Sequence, residues 1–149
     1  MTISPFQLAI EQAKAARIHD EVPIGAVIMD AASRKIVSSA HNLTESRLDP
    51  TAHAEMLAIR EACHTLGSPR LHNCDMYVTL EPCPMCAQAI SFARIRRLYF
   101  GAYDVKGGGV ENGPRIFHQA TCHHRPEVIG GMEETVCADL LKQFFAEKR

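Results

Sequence analysis

Residues 75–102 read D-M-Y-V-T-L-E-P-C-P-M-C-A-Q-A-I-S-F-A-R-I-R-R-L-Y-F-G-A, and this stretch decides the fold. Asp75–Leu80 is short, apolar and rich in β-forming residues, the signature of a strand. Pro84 sits where the first turn of a helix tolerates proline, so a helix is expected from there to about Arg94. Arg97–Ala102 then supplies another strand. A strand, a helix and a strand in fewer than thirty residues is an α/β unit.

The flanking sequence extends the same pattern. Ser4-Pro5-Phe6-Gln7 has a serine cap, a proline in the first turn and glutamine at the capping-box position, which predicts a helix to about residue 18. Val22–Met29 and Lys35–His41 read as two strands joined by the turn Asp30–Arg34, hence a hairpin. Thr51 is expected to open a helix that runs to Leu66 and stops at Gly67-Ser68-Pro69. Downstream, Glu127–Ile129 is a short strand and Glu133–Lys148 a final helix. The intervening 103–126, with a helical patch at Arg115–Gln119, suits a crossover between parallel strands. The order predicts a three-layer α-β-α architecture of the α/β class: a mixed five-stranded sheet, its last two strands parallel, in one domain over 1–149.

Composition narrows the function. The chain has 149 residues and a net charge of −1, which gives no general argument for nucleic-acid binding. Residues 1–93 carry 7 Lys/Arg against 10 Asp/Glu, and 94–149 carry 9 against 7, a slight basic tilt toward the C-terminus. The start has no basic and apolar leader pattern and no apolar run reaches membrane-spanning length, so a cytoplasmic protein is expected. In that setting the six cysteines are not read as disulfides. Cys63, Cys74, Cys122 and Cys137 are expected to be small core residues.

The remaining two cysteines form a C-x-x-C in E-P-C-P-M-C at 81–86, and T-A-H-A-E lies upstream at 51–55. His53, Cys83 and Cys86 offer one nitrogen and two sulfurs to a single Zn²⁺, and three protein ligands leave a fourth position for water. That is the ligand count of a catalytic site. Both groups fall at predicted helix starts, where the macrodipole favours thiolates. Glu55 is two residues from the histidine; the pair meets one centre only if the helix begins here, because first-turn side chains lean back past the helix end. Glu55 is the group placed to move the water's protons. A redox C-x-x-C would leave Pro82 and the upstream H-A-E without a role.

H-A-E with P-C-P-M-C matches the signature H-x-E…P-C-x-x-C of zinc deaminases. The chain resembles the cytidine deaminase-like superfamily and, more narrowly, the bacterial enzymes that convert the wobble adenosine of tRNA to inosine. The likeness runs through E-V-P-I-G-A-V at 21–27, D-P-T-A-H-A-E at 49–55, Y-V-T-L-E-P-C-P-M-C at 77–86, A-R-I-R-R-L-Y-F-G-A at 93–102 and the terminal F-F-A-E-K-R. It implies one Zn²⁺ per chain, held by His53, Cys83 and Cys86. It makes Glu55 the general acid and base, and Asn42, Ala54 and Pro82 the surroundings of the substrate, with the Ala54 N–H holding the base. It implies an anticodon stem-loop as partner, touched by Asp104, Lys106, Phe145 and Arg149. A homodimer paired through the helix at Cys83–Arg94, with Ile90 and Phe92 at the contact, is also implied.

Zinc chemistry by itself does not separate adenine in RNA from a free nucleobase or nucleoside, and E-P-C-P-M-C serves free-base deaminases too. The resemblance of G-A-Y-D-V-K at 101–106 to an RNA-contacting loop favours tRNA. The glycine-rich 107–113 and Glu45 in the loop Leu43–Leu48 depart from that picture. A non-catalytic RNA-binding subunit is a third reading, opposed by the intact Glu55.

Overall fold

The computed structural model of the protein describes residues 3–148. Helix α1 spans Pro5–Ile18, with the Ser4 hydroxyl accepting the Gln7 N–H at 3.0 Å. Strands β1 (Gly25–Asp30) and β2 (Ile36–His41) form the expected hairpin, and α2 spans Ala54–Leu66. Strand β3 (Cys74–Leu80), helix α3 (Pro84–Phe92) and strand β4 (Arg97–Ala102) follow, then a short 3₁₀ turn at Ile116–His118, β5 (Glu127–Ile129) and α4 (Glu134–Glu147). Among the described residues no helix is long and apolar enough to cross a membrane.

The sheet order is β2-β1-β3-β4-β5. β1 runs antiparallel to β2 and to β3, while β3, β4 and β5 are parallel. Residue alternation in β1 splits the core. Ala26 and Ile28 join Ala58 and Ala62 of α2, Ile90 of α3, and Met76, Val78, Leu98 and Phe100 of the sheet. Val27 and Met29 face the other way, onto Phe6, Ile10 and Ala13 of α1 and Cys137 and Leu140 of α4. The result is the expected three layers, α1/α4, sheet, α2/α3, with the 103–126 segment crossing between parallel strands.

Several boundaries differ from expectation, for local reasons. β1 begins at Gly25 rather than Val22, because Pro23 has no N–H and the Val22 carbonyl is taken by the Ile24 N–H at 2.8 Å. α2 begins at Ala54 rather than Thr51. Asp49 Oδ1 accepts the Thr51 N–H at 2.8 Å and its hydroxyl at 2.7 Å, which ties 49–51 into a turn, and His53 becomes the extended N-cap. α3 stops at Phe92 because Arg94 takes a left-handed φ of 62°. Ile90 is fully buried, so of the expected contact pair only Phe92 reaches the surface.

The register gathers several strand ends at one edge of the sheet. Gly25 opposes His41, Ala26 opposes Val78, and Leu80 lies beside Ala102. The exits of β2, β3 and β4 therefore open on one side, the edge where ligands bind in α/β sheets.

Glu21, just before this edge, is fully buried. Its carboxylate accepts the Glu45 N–H at 3.1 Å, the Ser46 N–H at 2.7 Å and the Ser46 hydroxyl. Burial alone would raise its pKa, but those bonds outweigh it and hold the carboxyl below its ordinary value. The unfolded chain then binds more protons in the acid range, so this stabilisation is present above the ordinary carboxylate pKa and fades as pH falls through the folded value. Glu21→Gln should lower the melting temperature at pH 7 by roughly 3 °C or more and by less at pH 2.5, well below the ordinary carboxylate value. An equal loss at both values in thermal unfolding contradicts the assignment.

Candidate metal centre and active site

The centre is built from two helix starts above that edge. His53 is the N-cap of α2 and Cys83 the N-cap of α3, both with extended backbone, and Cys86 sits in the first turn of α3. The chain leaves β3 at Leu80 and turns through Glu81 and Pro82 into α3, which fixes both cysteines relative to the sheet. His53 Nδ1 lies 3.6 Å from Cys83 Sγ and 3.5 Å from Cys86 Sγ. The three ligand atoms all fall within 4.8 Å of one another.

This donor set fits zinc. Bond lengths of about 2.1 Å to nitrogen and 2.3 Å to sulfur in a tetrahedron place neighbouring ligand atoms roughly 3.6 Å apart, which is the spacing found from His53 to each cysteine. Two thiolates and a neutral imidazole balance the charge of Zn²⁺, so the buried site carries no net charge. Without metal, the protons distribute unevenly. The hydrogen bond from Cys86, helped by His53, pulls the Cys83 thiol down to about 4. The same bond and burial push Cys86 well above its ordinary value, and the bond to Cys83 raises His53. Zinc needs Cys86 as a thiolate and His53 neutral, and both shifts oppose those forms, so its affinity falls with acidification.

Glu55 follows His53 by two residues at the start of α2 and is 4 % exposed. Burial is the main cause that lifts its pKa to about 7. A carboxyl poised near neutrality both takes and returns a proton at low cost, the property wanted of a general acid and base. His53 as N-cap, rather than a residue inside the helix, is what lets the pair converge.

The residues expected around the substrate have definite places. Asn42 is buried at the end of β2, and its Oδ1 accepts the Ala54 N–H at 2.9 Å. Ala54's N–H is therefore committed to Asn42 rather than open to a base. Pro82 is buried, and its carbonyl accepts the Gly109 N–H at 2.8 Å. Asp104 and Phe145, forty-one positions apart, line one hollow of about 290 Å³ with Val22, Leu80, Ala102 and Tyr103. Phe145 is 49 % exposed, whereas Phe144 is buried in the core. Lys106 is exposed in the turn after Asp104. Arg149 lies outside the described residues.

Reading the sequence missed the group that organises this rim. Glu81, 2 % exposed, gathers backbone N–H groups from the glycine-rich segment, and a Cβ at Gly109 would lie 2.6 Å from Pro84 N. The clustered glycines were the available signal: they let backbone approach the helix start that carries the ligands.

The fold and this centre are those of zinc-dependent nucleobase-type deaminases. The chain belongs to the family of cytidine and deoxycytidylate deaminase zinc-binding regions, whose model matches residues 3–102. It is 54 % identical over 144 residues to the tRNA-specific adenosine deaminase of Agrobacterium fabrum, covering 97 % of this chain and 93 % of that one. A solved structure from a study of A-to-I editing by tRNA:A34 deaminases at the wobble position of transfer RNA superposes with a TM-score of 0.88 at 53 % identity, covering 92 % of this chain and 98 % of that one. The guanine deaminase of Nitrosomonas europaea shares the fold, with a TM-score of 0.82 at 20 % identity over 95 % of this chain and 83 % of that one.

One Zn²⁺ per chain is expected by metal analysis. Cys86→Ala should lose the metal together with activity, and zinc content unchanged in that variant removes Cys86 from the ligand set.

Proposed function

We propose that the protein is a hydrolytic deaminase that converts the wobble adenosine of a tRNA anticodon loop to inosine, releasing ammonia. The observation that carries this reading is the three-ligand centre with the buried Glu55 beside it, in a chain that is similar over nearly its full length to tRNA-specific adenosine deaminases. When bound by His53, Cys83 and Cys86, zinc supplies Lewis acidity that brings the pKa of a coordinated water toward neutrality.

The protein's own groups do the rest. Glu55 accepts the proton lost by the water as its oxygen attacks C6 of adenine. It delivers that proton to the ring nitrogen, then takes the proton of the new C6 hydroxyl and passes it to the exocyclic amine, which leaves as ammonia while the C6 carbonyl forms, so that adenine and water become hypoxanthine and ammonia. Burial keeps bulk water from Glu55 and sustains a pKa suited to both directions of transfer. Asn42 fixes the start of α2, and with it His53 and Glu55, by holding the Ala54 N–H. Pro82, buried next to Cys83 in the chain, forms part of the substrate's surroundings.

An adenine in a structured loop must leave its stack to reach such a centre, at a cost of a few kcal/mol. Contacts to neighbouring nucleotides offset that cost. The hollow between Asp104 and Phe145 suits a flanking base and Lys106 a phosphate, and Arg149 is assigned a phosphate contact from the resemblance alone. Two copies pair through the exposed side of α3 at Phe92, and the enzyme works in the cytoplasm with the tRNA pool. Six free cysteines agree with a reducing compartment.

The test is inosine formation in an anticodon stem-loop with adenosine at the wobble position, run beside free adenosine, guanine and cytosine. Efficient conversion of the stem-loop is expected, and turnover of a free base in its place overturns the reading. Glu55→Gln should retain zinc while its turnover falls by about 10²–10⁴-fold; full activity removes Glu55 from the chemistry.

A further inference from the structure

The segment that carries Asp104 and Lys106 hangs from one side chain. Glu81 stands between the last residue of β3 and the ligand Cys83, almost without solvent contact. Its Oε1 accepts the Asp104 N–H at 3.0 Å and the Asn112 Nδ2–H at 2.7 Å. Its Oε2 accepts the N–H groups of Val110, Glu111 and Asn112 at 3.1, 2.9 and 3.0 Å. Between these attachments the turn closes on itself: the Gly108 N–H meets the Asp104 carbonyl, and the Gly107 N–H meets Asp104 Oδ1, each at 2.9 Å. One carboxylate thus fastens the chain as it enters the turn and again as it leaves.

The fit is specific to this group. Five N–H donors need an acceptor with no donor of its own, and an ionised carboxylate offers about four lone-pair sites on two oxygens. A Cβ at Gly108 would come within 2.5 Å of Glu81 Oε2 and 2.5 Å of the Asp104 carbonyl, so only glycine lets the loop close this tightly. The tip of the turn remains outside, with Val105 79 % exposed and Lys106 beside it. Neither metal ligation nor proton transfer needs Glu81, yet it is covalently next to Pro82-Cys83.

We propose that Glu81 is a positioning residue for substrate recognition: it locks the 104–108 turn to the strand end that carries Cys83, so that the turn presents Asp104 and Lys106 to the nucleotides flanking the reacting adenosine. This rests on the tRNA reading above. The consequence is a division of labour. Loss of the lock weakens capture of structured RNA and leaves the chemistry at the metal centre in place.

Glu81→Gln keeps the shape but turns one acceptor oxygen into an NH₂ that faces other donors. The KM for the stem-loop should rise about tenfold with kcat within about threefold, one zinc per chain should remain, and amide exchange over 104–112 should quicken. Gly108→Ala displaces the loop while leaving the carboxylate, and should give the same split; it also decides the matter where the first variant does not fold. Unchanged exchange in both variants, or faster exchange with an unchanged KM, overturns the proposal. So does a collapse of kcat with zinc loss, which would make Glu81 a support of the metal centre. Where the wild-type enzyme converts the stem-loop and the variants match its KM, this inference alone fails. Where the wild type leaves the stem-loop intact, the tRNA reading fails and the flanking role falls with it.

Discussion

Everything in this molecule turns on two helix starts meeting over one edge of the sheet. α2 and α3 aim their positive ends at a common point, and the residues at their N-caps, His53 and Cys83, are there because the chain is still extended when it reaches them. An N-cap side chain projects beyond the helix, so groups from two helices can converge without clashing backbones. The macrodipoles favour the thiolate form that a metal requires. The sheet makes the meeting reproducible: antiparallel β1 and parallel β3 and β4 bring Asn42, Glu81 and Asp104 to the same side.

Such a meeting exposes loops rather than regular structure around the site, and loops carry unpaired backbone groups. Buried side chains answer that need. Glu21 holds the N–H groups of Glu45 and Ser46, Asn42 holds that of Ala54, and Glu81 holds four between Asp104 and Asn112. Each of the two carboxylates is desolvated, which is costly, and each is offset by several charge-assisted hydrogen bonds that keep it ionised. Glu55 is the contrast. It too is buried, but burial dominates and its pKa moves up to about 7. The same residue type is thereby held ionised where it fixes loops and poised near neutrality beside the His53, Cys83 and Cys86 cluster.

The legibility of these features in the sequence followed their range. Strand and helix patterns at 75–102, and the ligands Cys83 and Cys86 one helical turn apart, rest on local periodicity and were readable with little error. α2 begins three residues later than Thr51 suggests because threonine is the better N-cap by type, and only Asp49, by taking Thr51's N–H and hydroxyl, removes it from that role. The partnership of Asn42 with Ala54 reversed the expected use of that N–H for the same reason: a side chain twelve residues away had claimed it. Glu81 and the glycines at 107–109 were visible but unexplained, since a carboxylate that gathers amides from a loop twenty to thirty residues downstream leaves no periodic trace. Ile90 looked like a contact residue and is core, because it lies on the face of α3 packed against the sheet, and of the pair only Phe92 escapes it.

An open three-ligand zinc centre formed by one histidine and two cysteines has a distinct scattering signature. X-ray absorption at the zinc edge of the purified enzyme tests it most directly. Two sulfur scatterers at about 2.3 Å and two lighter nitrogen or oxygen scatterers at about 2.0–2.1 Å are expected, one of the lighter pair exchangeable with solvent or inhibitor. A shell of three or four sulfurs, or a closed shell that no small ligand enters, would contradict it.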